Sequence, residues 1–130
     1  MGFLSVLIAA AASFAFGAIW YMTLSKPWVE ASGITLDENG RPEGGSPLSF
    51  VLAALAMILV AGMMRHTFAL SGIETFAKGV LSGMGIGLFF ISPWIMLNNT
   101  YGMRPFKLTI IDGGYAIFGC AIMGAVLALF

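Results

Sequence analysis

Charge is what this sequence has least of. Six Lys or Arg and six Asp or Glu make up 9% of 130 residues, whereas a soluble domain carries about 25%. So few charges cannot cover a water-facing surface, and a single soluble core is excluded. Because the two signs balance, no basic stripe is left for nucleic acid. Cysteine is nearly missing too: Cys120 stands alone in an apolar run and cannot form an intrachain disulfide. No Lys or Arg precedes the first apolar run, as a secretory leader would require. That run reaches Leu24, beyond leader length, so it reads as a membrane span. There is no GxSxG, HExxH or phosphate loop, and no span holds paired carboxylates, which leans against an enzyme. His66 is the only histidine; with one buried Cys it falls short of a zinc or haem ligand set, so no metal and no cofactor is expected.

What is abundant is apolar. Hydrophobic residues make up 59% of the chain, and the mean hydropathy is +0.96. A span needs about 20 mostly apolar residues to cross roughly 30 Å of hydrocarbon. Four segments qualify: about 3–24, 48–64, 76–97 and 106–130. Backbone groups within a bilayer must be satisfied internally, and the alternation of a barrel strand is missing, so these segments are expected to be helices. The second ends on Arg65-His66. Between the first two lies a polar loop, 25–47, with Lys26, Glu30, Asp37, Glu38, Arg41 and Glu43, turn signals at Asn39-Gly40 and Gly44-Gly45, and room for a short interfacial piece at Pro27 to Ile34. The other two links are short, which makes consecutive helices antiparallel neighbours. The expected fold is all-α: one transmembrane domain, an integral membrane four-helix bundle with antiparallel up-down topology. Lys26, Arg41, Arg104 and Lys107 share one side of the membrane, against Arg65 and Lys78 on the other, which places both termini away from the cytoplasm.

Helices in lipid associate through small residues and polar contacts. Gly79, Gly83 and Gly87 form a GxxxGxxxG stripe on the third span; Ala116, Cys120, Gly124 and Ala128 repeat the spacing on the fourth. These stripes read as packing within one chain or as a homo-oligomer seam. Pro93 interrupts the third span, where it removes one helical hydrogen bond and clashes with the Phe89 carbonyl; a fixed bend is expected.

Asp112 is the residue most suggestive of function. It lies six residues into the fourth span, and an ionisable group at that depth is a functional candidate. A structural alternative is a capping box with Thr109 as N-cap and Asp112 three residues on. Asn98, Asn99, Arg104 and Tyr115 are close in sequence, and all can donate to a carboxylate. Together with Asp112 they are expected to form one polar cluster, holding a ligand or an ion or serving structure alone. Trp20-Tyr21, Trp28 and Trp94 suit an aromatic belt, and the nine Met residues suit flexible packing.

Several of these residues carry a resemblance. Gly17-Ala18-Ile19-Trp20-Tyr21, Lys26-Pro27-Trp28 and Gly33, then Asn99, Arg104-Pro105, Ile111-Asp112-Gly113-Gly114-Tyr115 and Gly124 resemble the domain of unknown function 1761 family of small bacterial proteins with four predicted transmembrane helices. The likeness covers essentially the whole chain and is most specific at Gly17 to Gly33 and Asn98 to Tyr115. It implies a fold, a membrane location and a bacterial source, but no mechanism. The functional expectation is a multi-pass protein of the bacterial inner membrane, surrounded by the lipid bilayer, self-associating, and acting as a binding or accessory subunit of a larger membrane complex. The alternative is a small proton-coupled transporter or channel using Asp112.

Overall fold

The computed structural model describes residues 2–40 and 47–130; Arg41, Glu43 and the Gly44-Gly45 turn lie outside the described residues. The described chain is all-helical: α1 (Gly2–Thr23), α2 (Ser25–Ser32), α3 (Pro47–Ser71), α4 (Phe76–Ile86), a π-helical segment Gly87–Ile91, α5 (Ser92–Tyr101) and α6 (Phe106–Ala128). Four helices among the described residues are long and apolar enough to cross a membrane: α1, α3, α6 and the continuous run Phe76–Tyr101 formed by α4, the π segment and α5. At 1.5 Å per residue, the 22 residues of α1 extend about 33 Å, enough for the hydrocarbon.

Local chemistry sets the helix ends. Gly33 closes α2 at a φ of 72°, and Gly72 does the same for α3 at 69°, where Ile73 N–H donates back to the Phe68 carbonyl. The sequence ends the second span at Met64, but α3 runs on to Ser71, with Arg65 and His66 inside it. Loss of apolarity does not end a helix; the first glycine after the basic pair, suited to left-handed backbone, is Gly72. The Thr75 hydroxyl caps α4 by accepting from Lys78 N–H at 3.2 Å. Before Pro93 the helix widens, and Ser92 N–H donates five residues back to Gly87. This looser turn accommodates the proline ring within a continuous run. α6 starts at Phe106 after extended Pro105. Thr109 therefore lies in the helix interior, which removes the capping-box reading of Asp112.

The helix partners match those that short links suggest for the third and fourth spans, but not for the second and third. α4 packs chiefly on α6, α6 also packs on α1, and α3 packs on α1. α3 and α4, joined by four residues, make almost no contact with each other. A Cβ on Gly79 would stand 2.5 Å from the Gly124 carbonyl oxygen; likewise, Gly83 lies against the Cys120 backbone and Gly87 against that of Ala116. The glycine stripe is thus filled by α6 of the same chain, and the pairing shows that the two helices run in opposite directions. The apolar core joins Val6, Ala9 and Ala10 of α1, Ala61, Met64 and Phe68 of α3, and Cys120, Met123 and Leu127 of α6. It fills the part of the molecule towards the start of α1. At the other end, where α1 finishes and α6 begins, polar and aromatic side chains replace it.

Candidate functional site

That second end is built from the last turns of α1, the first turns of α6, and α2, which packs on both. Tyr21 and Asp112 face each other across the α1–α6 contact, and the Tyr21 hydroxyl donates to Asp112 Oδ1 at 2.7 Å. The Trp28 side chain on α2 and the charge of Arg104 also act on this carboxylate. Among the described residues Asp112 has no ion-pair partner; the one ion pair there is an exposed contact, Lys107 to Glu30 at 3.6 Å. A pair this exposed adds little stability.

Aromatic rings surround the carboxylate. Tyr21 meets Tyr115 edge-on with centroids 5.5 Å apart, and meets Trp28 edge-on at 6.0 Å. Each ring with a polar group hydrogen-bonds to a neighbouring helix. Trp20 Nε1 donates to the Ile111 carbonyl at 3.0 Å, and the Tyr115 hydroxyl to the Ser13 carbonyl at 3.0 Å. Two glycines make room: a Cβ at Gly17 would lie 2.7 Å from the Tyr115 ring, and one at Gly114 would lie 2.8 Å from Trp20. Small residues on each helix thus accept large rings from the other. From the opposite flank, Ser92 Oγ donates to the Gly113 carbonyl at 3.0 Å, tying the irregular stretch of the third span to the residue after Asp112.

The five polar residues grouped by the sequence separate into different contacts. Asp112 and Tyr115 share the α1 face through Tyr21. Asn99 is buried elsewhere, donating to Thr109 Oγ1 at 3.2 Å. Asn98 is exposed, and its backbone carbonyl accepts from Gly102 N–H at 2.9 Å. Arg104 is also exposed, and no described ion pair joins it to Asp112. Asn99 on α5 is taken up by Thr109, while Asp112, a turn further along α6, is taken up by Tyr21 of α1. The residues missed from sequence are Tyr21, Trp20, Trp28 and Ser92, since an aromatic near a span end reads equally well as an interfacial anchor. A signal was available in the resemblance, whose two most specific stretches, Gly17 to Gly33 and Asn98 to Tyr115, are the ones that meet here.

The tip of this end has an unusual backbone. Met103 holds φ at 58°, where its N–H donates to the Thr100 carbonyl and Arg104 N–H donates to Asn99. This is the helix-ending geometry that glycine fills most cheaply. Met103 is nonetheless 93% exposed, with Tyr101 and Phe106 exposed beside it.

Residues 4–128 fit the model of the family described as a protein of unknown function (DUF1761). The chain belongs to that family. No curated protein and no solved structure matches it.

Proposed function

Taking membership of the DUF1761 family as the premise, we propose that the chain is a binding or accessory subunit of a bacterial inner membrane, with Asp112 as the group that engages its ligand or partner. One observation carries this reading. A carboxylate lies about 9 Å into a membrane-length helix and is held by the Tyr21 hydroxyl at 2.7 Å rather than neutralised by an ion pair. Ionisable side chains at such depth are costly and are kept for a purpose. Tyr21 occupies one acceptor position of a group that offers about four. The exposed Tyr101, Met103 and Phe106 at the same end suit an attachment surface. The backbone conformation of Met103 costs of order 1 kcal/mol or more without any packing return, and strain of this kind gathers at functional sites.

In this reading the four spans form an antiparallel up-down bundle, with both termini away from the cytoplasm. Copies self-associate through faces other than the glycine stripe, which α6 covers; α3 has most of its length free. No ion flux of its own is expected. In liposomes enclosing a pH-sensitive dye and given a pH gradient, the reconstituted protein should leak no faster than protein-free liposomes. A gradient-driven flux abolished by Asp112→Asn would replace this reading with a second, a small proton-coupled transporter. One observation favours that second reading: the π-helical turn before Pro93 lies beside Asp112 through the Ser92–Gly113 contact, and irregular helical backbone beside ionisable groups is a transporter feature.

A further inference from the structure

At the end opposite Asp112, α1 and α3 part to leave an open groove of about 600 Å³. Its walls are apolar, with Phe3, Ile58 and Leu59, and Gly62 opens it by having no side chain. Arg65 and His66 also line it. Arg65 lies six residues before the end of α3, about 9 Å along the axis, and its guanidinium lies against the first turn of α1, where a Cβ on Gly2 would be 2.8 Å from Nη2. No described carboxylate pairs with it. A smaller groove of about 170 Å³ shares Arg65 and passes Ser5 towards Phe130, nearer the helix ends.

We propose that the larger groove holds an acyl chain of an anionic phospholipid, with its phosphate on Arg65 and His66. The order of residues along α3 matches a lipid: the basic pair lies towards the helix end, and Leu59 and Ile58 continue from it towards mid-membrane. The smaller groove leaves room for the headgroup beyond the phosphate. An arginine fork suits phosphate oxygens, and basic sites between transmembrane helices are suited to anionic headgroups. A second copy of the chain is a poorer occupant. It would need a side-chain carboxylate at the depth of Arg65, and the one described at this end is Glu74, which lies past the end of α3. The site is separate from Asp112 and does not depend on the function proposed for it.

Native mass spectrometry of the full chain in detergent tests this, with phosphatidylglycerol or phosphatidylcholine of identical chains added in turn. The wild type should retain phosphatidylglycerol about fivefold more strongly, the effect of one basic residue at an anionic surface. Arg65→Gln should abolish that preference, and Arg65→Lys should keep most of it. Gly62→Leu should weaken retention of both lipids, since a Cβ there meets only Val6 Cγ1 at 3.9 Å and the longer side chain enters the groove. Equal retention of the two lipids by the wild type, or a preference that survives Arg65→Gln, would overturn the proposal. So would a dimer that Gly62→Leu dissociates while lipid retention stays unchanged, which would identify a second copy as the occupant.

Discussion

Along α6, one face lies on α4 and another on α1, and the two contacts are made by different means. Against α4 and the π segment the surfaces are Gly79, Gly83 and Gly87 on Gly124, Cys120 and Ala116, backbone on backbone. Against α1 the surfaces interlock through rings seated over glycines and through the hydrogen bonds of Trp20, Tyr21 and Tyr115. The first contact has no ionisable group apart from the Cys120 thiol; the second holds a carboxylate. Close packing of small residues suffices to associate helices in lipid. The two faces thus use the two means of association open to helices in lipid, small-residue packing and polar contacts, and only the second brings an ionisable side chain into the contact. α6 is accordingly the most enclosed span, with 44% of its most apolar stretch buried, against 11% for α3.

The comparison is broken most severely at Gly83. A side chain there meets the Cys120 backbone, which cannot rotate away, so Gly83→Val should destabilise the protein by about 3 kcal/mol or more, the upper end for overpacking. Unfolding in a dodecyl sulfate titration reads this directly, and a variant as stable as the wild type would show that α4 and α6 do not approach so closely. Tyr21→Phe removes one interhelical hydrogen bond and keeps the ring. The loss should be about 1 kcal/mol in the same titration, much smaller than that of Gly83→Val, because the α1 face spreads its attachment over several side chains. The smallest effect sharpens the contrast: Gly85 has nothing within 4 Å of where a Cβ would be. Gly85→Ala should leave stability unchanged or raise it by about 0.5 kcal/mol through lower backbone entropy, although Gly85 lies in the same helix as the glycine stripe.

Much of the architecture could be read from residue order. Uninterrupted apolar length identified the four membrane-length helices, because hydrocarbon thickness imposes it. Gly79, Gly83 and Gly87 pointed to a close-packed stripe because spacing by four repeats one helix face. The partner of that stripe on the same chain was legible only as one of two alternatives. Hydropathy did not give the helix end: α3 carries Arg65 and His66 without a break, since a helix ends where its backbone can turn and not where apolarity stops. Local reasoning also grouped Asn99 with Asp112, although Asn99 bonds Thr109 and Asp112 bonds Tyr21. The true partner, Tyr21, lies 91 residues away, and no local pattern joins residues so distant. The resemblance singled out both stretches without indicating that they touch.

The central claim is that function uses the charge of Asp112, beyond its role as a tether for α1. Asp112→Asn separates the two, since the amide oxygen can still accept from Tyr21 while the charge is lost. The decisive measurement is the native mass of the assembly extracted from the source membrane, taken for wild type and Asp112→Asn, with dodecyl sulfate unfolding of each as the control for folding. The account predicts near-equal unfolding and loss of the larger assembly in the variant. An unchanged assembly in an equally stable Asp112→Asn would contradict it and leave Asp112 as a structural contact between α1 and α6.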